Sequence, residues 1–253
     1  MNRRDFLSVM AVTPFLNTAL LGEGYLKEIP NNDIFATKEE WNSLLLVRER
    51  FSKVKKFVGY GKFNLISFDE VLKASKLEPQ IGVFSKQELE FLDKLFYDNP
   101  NKYGFFGTKT TEKITQVIDE KDTIKINYTG HYLFRGKSLD DYNNILRDVG
   151  KDIILTSGIR SVPKQMSLYI DKIYALNGNI SKASRIIAPP AYTHHAISDF
   201  DVGKKGFGGR NFSTFFTTTD EFKRLVKLDY VNIRYAENNK DGVIYEPWHI
   251  QVV

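Results

Sequence analysis

Apolar residues recur at three- and four-residue steps from Lys38 onward: Trp41, Leu44, Leu45, Val47, Phe51, Val54 and Phe57. That period predicts one long amphipathic helix over 38–58. Two shorter helices are predicted over 67–75 and 85–97. Each is opened by a serine, Ser67 or Ser85, with a glutamate three positions on, Glu70 or Glu88. In that arrangement hydroxyl and carboxylate reciprocally satisfy backbone N–H groups left free at a helix start. Asn99-Pro100-Asn101 and Tyr103-Gly104 break the pattern, and a soft boundary falls at 109–121. The N-terminal third is thus helical and arranges no residues for chemistry.

The remainder changes period. Residues 122–128 alternate as a short strand, and Ser138 with Asp141 predicts a capped helix whose core stripe is Leu139, Tyr142, Leu146 and Val149, closed by Gly150. A buried strand follows over 153–156. Pro163 suits the first turn of a helix over 165–176 that ends at Gly178, and a further helix is expected over 220–228. Two strands, 231–236 and 243–253, are predicted to join through a turn at 238–242. Helices set against an antiparallel sheet make the fold class α+β, a helical N-terminal region followed by a sheet domain flanked by helices. Three segments are expected: 1–22, 23–120 and 121–253.

Composition narrows the chemistry. With 253 residues, 42% apolar and 26% charged, the chain is long enough for a substantial core, which excludes disorder, collagen and coiled coil. It has no cysteine, so disulfides and thiolate-bound metals are excluded, and it has only four histidines: His131, His194, His195 and His249. The net charge of +5 is not gathered into runs. Nucleic acid is therefore not the expected partner, whereas an anionic surface such as a cell wall is compatible. At the start, Arg3-Arg4 precedes Phe6-Leu7 and an uncharged stretch over 8–22, broken by Pro14, Asn17 and Thr18. It is too short to span a bilayer and resembles a twin-arginine export signal, either cleaved or kept as an anchor.

Three segments hold nearly all the unusual polar residues: Ser157-Gly158-Ile159-Arg160-Ser161, the stretch from Tyr192 through His194-His195 to Asp199-Phe200-Asp201, and Glu246-Pro247-Trp248-His249. A catalytic zinc needs three protein ligands and an open position, which two histidines and an aspartate supply without cysteine. Glu246 stands three residues before His249, and Pro247 bends a strand that would otherwise throw the two side chains to opposite faces. Taken singly, each motif also fits a bland role: a surface Glu-x-x-His pair, a polar loop whose His and Asp bond each other, or an arginine in a structural ion pair. Their occurrence in one domain points to chemistry.

In order along the chain, Ser157-Gly158-Ile159-Arg160-Ser161, Thr193-x-His195, Asp199-Phe200-Asp201-Val202-Gly203 and Tyr245-Glu246-Pro247-Trp248-His249 resemble the motifs of the VanY-type zinc D-alanyl-D-alanine carboxypeptidases, within the LAS group of metallopeptidases. The resemblance covers roughly 130–253. It implies that His195, Asp201 and His249 bind zinc, that Glu246 is the catalytic base, and that Arg160 stabilises the polarised carbonyl or the substrate's terminal carboxylate. It further implies Ser157, Gln165, Thr193, Asp199 and Trp248 as substrate-binding positions. In the family's usual spacing an Asp stands seven residues after the His, which here would select His194. The flanks favour His195, because Thr193 and Ser198 then replace a family Ser and Gly, whereas His194 would put Tyr192 and Ile197 there. His194 stays the alternative ligand and Asp199 a lesser one. The resemblance implies peptidoglycan stem peptides as substrate and an exported, periplasmic or cell-envelope location. D,D-carboxypeptidase activity leads over L,D-carboxypeptidase or endopeptidase activity, and a non-catalytic wall-binding module is the alternative of another class.

Overall fold

Helix α1 (Lys38–Val58) begins where the Thr37 hydroxyl accepts the Glu40 N–H and the Glu40 carboxylate accepts the Thr37 N–H. Ser67 with Glu70 opens α2 (Phe68–Leu77), and Ser85 with Glu88 opens α3 (Lys86–Tyr97), both as the sequence predicts. The computed structural model describes residues 32–253, so the expected export signal over 1–22 lies outside the described residues. Helix α1 buries Leu44, Val47, Phe51 and Val54, while Leu45 and Phe57 are exposed, so its apolar stripe is narrower than the periodicity suggests.

These helices close no core by themselves. They share one with Val162, Met166, Tyr169, Ile170 and Ile173 of α5 (Val162–Ala175) and with Ile180 and Ala183 of α6 (Ile180–Ile186). Secondary structure changes near residue 120, but packing runs across that point. Helix α5 starts at Ser161, whose hydroxyl accepts the Lys164 N–H, with Pro163 in the first turn where no donor is lost. The buried α5 face therefore joins the helical half to the segment just after Arg160.

The second half is built on an antiparallel sheet in the order β3 (Ile153–Ser157), β4 (Phe200–Lys204), β6 (His249–Gln251), β5 (Asn232–Ile233). A separate hairpin pairs β1 (Thr123–Lys125) with β2 (Tyr132–Phe134). Helix α4 (Lys137–Val149) and helix α7 (Asp220–Leu225) supply Tyr142, Ile145, Val149, Phe222 and Leu225 to a second core, with Leu155, Phe200, Val202, Trp248 and Ile250 from the sheet and its approach. No helix among the described residues is long and apolar enough to cross a membrane.

Several local expectations are corrected. Gly136, not Ser138, precedes α4, and no side chain caps it; the Ser138 hydroxyl donates to the Ser198 carbonyl at 2.7 Å, and Asp141 accepts from Lys137. Ile145 is buried beside Tyr142 and Val149, whereas Leu139 and Leu146 of the expected stripe are only half-buried. The strand expected over 122–128 stops at Lys125, since the chain turns through Tyr128 and Gly130 at positive φ. The long strands expected over 231–236 and 243–253 shrink to β5 and β6. Between them, Glu246 N–H donates to the Tyr235 carbonyl and His249 N–H to the Glu246 carbonyl, a turn that Pro247 favours.

Candidate metal centre

The antiparallel register places Asp201 of β4 opposite His249 of β6 on one side and opposite Ser157 of β3 on the other. Directly paired residues project to the same face, so Asp201 and His249 converge. His195 arrives from a 3-10 turn, His194–Ala196, just before β4. Its carbonyl accepts the Arg160 N–H at 3.2 Å. Gly158 is required beside it: any Cβ there would collide with the Tyr132 carbonyl, which accepts the Ile159 N–H at 2.8 Å. The sheet ends and two turns thus deliver all three motifs to one point.

One ligand atom from each of His195, Asp201 and His249 lies within 4.8 Å of the others, and all three residues are buried. His195 Nδ1 is 2.8 Å from the Gly158 carbonyl, which can only accept, so Nδ1 carries the proton and Nε2 presents a lone pair. That Nε2 faces Asp201 Oδ1 at 3.2 Å. Both atoms are buried without a hydrogen-bond partner among the described residues. Two acceptors aimed at each other in an enclosed site are costly unless a cation sits between them. His249 Nδ1, 3.7 Å from Asp201 Oδ1 and 3.0 Å from Glu246 Oε2, completes the group. The residues present fit a divalent metal ion with nitrogen and oxygen ligands.

The electrostatics agree with that fit. Burial, and next the Arg160 charge, push the His195 imidazole down to about 4, so it is neutral and free to ligate. Burial opposes ionisation of Asp201, but the charges of His195 and Arg160 hold it well below the usual carboxylate range. Burial also opposes charge on His249; the hydrogen bonds its ring N–H groups donate to Asp199 and Glu246 outweigh it and raise the metal-free imidazole to about 9. Burial raises the Glu246 carboxyl above its ordinary value against the pull of His249. A carboxylate so placed is a proton acceptor tuned toward neutrality.

Arg160 is held beside the group rather than projecting freely. Its Nε donates to Ser157 Oγ at 2.9 Å, one Nη to Asp201 Oδ2, and the other to Gln165 Oε1 at 3.5 Å. Gln165 Nε2 in turn donates to the Ala188 carbonyl at 2.7 Å. All five expected substrate-binding positions, Ser157, Gln165, Thr193, Asp199 and Trp248, are buried. Ser157 and Gln165 brace Arg160, Trp248 packs edge-on against Phe212 within the sheet core, and the Thr193 carbonyl accepts from Thr110. Asp199 is committed to Arg234 and His249. His194 neighbours the group but contributes no converging ligand atom; burial, and next the Arg234 charge, lower its imidazole to about 4.

Sequence reading missed Arg234, Tyr235 and His131. Tyr235 packs edge-on against the His249 ring, with centroids 5.0 Å apart. His131 is lowered to about 4 by burial and then by Lys164 and Arg160, which puts it in the electrostatic reach of the site. The only signal for Arg234 was a charged residue inside a segment read as a strand. A groove of about 330 Å³ is lined by Ser161 and Ala196, next in the chain to Arg160 and His195, with Ile197, Val117, Ile118 and Phe134, and by none of the five residues of the centre.

Residues 137–253 match the family model for VanY, described as D-alanyl-D-alanine carboxypeptidase. A comparison with curated proteins yields no match. Among solved structures, a VanY D,D-pentapeptidase variant from a VanB-type resistance cassette, in complex with Zn(II), is 20% identical with a TM-score of 0.42, covering 52% of this chain and 78% of that one. The LdcB LD-carboxypeptidase is 21% identical with a TM-score of 0.42, covering 48% of this chain and 59% of its own. The D,D-dipeptidase VanXYg, in complex with a D-Ala-D-Ala phosphinate analogue, is 18% identical with a TM-score of 0.48, covering 60% and 62%.

Proposed function

We propose that this chain, whose residues 137–253 match the VanY D-alanyl-D-alanine carboxypeptidase family model, is a zinc D,D-carboxypeptidase that removes the terminal D-Ala from peptidoglycan stem peptides. The observation that carries the reading is the convergence of His195, Asp201 and His249, with the unpartnered His195 Nε2 and Asp201 Oδ1 facing each other and Glu246 at the edge. These three residues would hold the zinc. When bound, zinc supplies Lewis acidity, polarising the scissile carbonyl and acidifying water toward neutrality.

The chain's own residues do the rest. Glu246, desolvated and raised in pKa, takes a proton from the attacking water and returns it to the leaving amine, so no covalent intermediate is required. Arg160, fixed by Ser157, Gln165 and Asp201, keeps positive charge next to the developing oxyanion or the substrate's terminal carboxylate. Its fixation means little reorganisation accompanies the reaction. In this reading 121–253 is the catalytic unit. Of the 23–120 region, the described residues support it through the shared core behind α5, and the 1–22 segment exports the protein to the periplasm or cell envelope.

Incubating the zinc-loaded protein with peptidoglycan digests and weighing the products tests the proposal. Pentapeptides shortened by one alanine are expected. Shortened tetrapeptides would replace the reading with L,D-carboxypeptidase, and severed cross-links with endopeptidase. No product from metal-loaded protein would leave a wall-binding module.

A further inference from the structure

The two histidines of the centre expose opposite nitrogens, and the reason lies one layer behind them. His195 is anchored through Nδ1 by a backbone carbonyl, and His249 through Nε2 by Asp199 at 3.2 Å. Asp199 is enclosed and accepts from every side: Arg234 Nη2 at 3.1 Å and Arg234 Nε on its two oxygens, the Val252 N–H at 3.1 Å and the Ser198 hydroxyl at 3.2 Å. Donors on both of its oxygens make the Asp199 carboxylate an acceptor toward His249 as well. Its neighbour at Nε2 must therefore be a protonated nitrogen, which leaves His249 Nδ1, facing Asp201 and Glu246, as the nitrogen that gives up its proton to ligate a metal ion. Arg234 is fixed as well, since its N–H donates to the His249 carbonyl at 3.0 Å between β5 and β6.

We infer that Asp199 and Arg234 are positioning residues of the metal centre: they set the tautomer and orientation of His249 and raise its basicity as a ligand. The inference rests on the metal reading above and concerns residues that the sequence offered only as a weak ligand, a substrate contact or a strand position. Arg234 balances the Asp199 charge, so the centre gains a stronger imidazole ligand without a second uncompensated anion. An asparagine at position 199 can turn its amide N–H toward Nε2, which moves the imidazole proton to Nδ1 and blocks the ligand atom.

The test is zinc competition against a chromophoric chelator at neutral pH, with the full chain and the Asp199→Asn and Arg234→Gln variants. Asp199→Asn should bind zinc about 10- to 100-fold more weakly, measured on protein that circular dichroism shows to be folded. The cobalt-substituted variant should show an altered visible spectrum, which a merely structural role would not produce. Arg234→Gln should weaken binding to a lesser degree and serves as the deciding variant should Asp199→Asn fail to fold. Parent-like zinc affinity in a folded Asp199→Asn, or in Arg234→Gln where that variant decides, overturns the inference while leaving the metal centre standing. A parent protein that binds no zinc overturns both, and that failure is visible before any variant is made.

Discussion

Glu88 in the helical half and Asp201 in the sheet half are buried equally, yet their surroundings are opposite in kind. One Glu88 oxygen accepts Arg50 Nε at 2.6 Å and the other the Ser85 N–H at 2.6 Å, while Arg50 Nη1 donates to the Ile81 carbonyl. The cluster is closed. Asp201 gives one oxygen to Arg160 and leaves the other facing His195 Nε2, neither with a hydrogen-bond partner. A closed cluster recovers the desolvation of its charges and serves the fold; an open one leaves that cost uncompensated and is a receptor for a cation. The same residue types, buried alike, thus serve stability in one core and binding in the other.

The sharpest ways to break this contrast act on the open cluster. Glu246→Gln should retain zinc and lose roughly a hundred- to ten-thousand-fold in turnover, whereas His249→Ala should lose the metal itself. Elemental analysis beside a peptide-release assay separates the two, and a zinc-loaded Glu246→Gln that cleaves like the parent removes Glu246 from its role. Next in size, Arg50→Met should destabilise by about 3 kcal/mol in urea unfolding, since it strands a buried carboxylate. Zinc affinity should not change; a parallel loss of zinc would mean the two clusters are not independent.

A smaller effect follows from pH. In the metal-free protein His131 and His195 are held near 4, below the unfolded value of 6.5. Between those values the unfolded chain binds more protons, so stability present above about 6.5 is lost as pH falls toward 4. Urea midpoints at neutral and mildly acid pH measure it, and an unchanged midpoint would show the imidazoles less enclosed than the geometry places them. The smallest expected change is Ser85→Ala, about 1 kcal/mol from the loss of one helix cap, with zinc binding untouched. A shift in zinc binding there would contradict the separation of the two regions.

Legibility in the sequence follows the range of the interactions. Ser67, Ser85 and their glutamates are legible because a capping box is a contact over three residues. Ser138 with Asp141 carried the same signature, but a contact sixty residues away, the Ser198 carbonyl, claimed the hydroxyl. At the centre, side-chain chemistry marked His195, Asp201, His249, Glu246 and Arg160 as candidates, and the structure gathers all five. That Ser157, Gln165, Thr193, Asp199 and Trp248 lie buried was not legible, because polarity says nothing about which way an atom faces. Arg234 was illegible because its partner, Asp199, lies 35 residues away in sequence.

By itself, then, the sequence determined what could be built: helices through their period and caps, and a thiol-free set of ligands through its histidines and carboxylates. Only the tertiary structure decided which of two adjacent histidines turns inward. The carbonyl that orients His195 belongs to Gly158 on the end of another strand, and the carboxylate that orients His249 comes from before β4. A ligand's identity is a property of one residue, but its free lone pair depends on where neighbours distant in sequence place the proton.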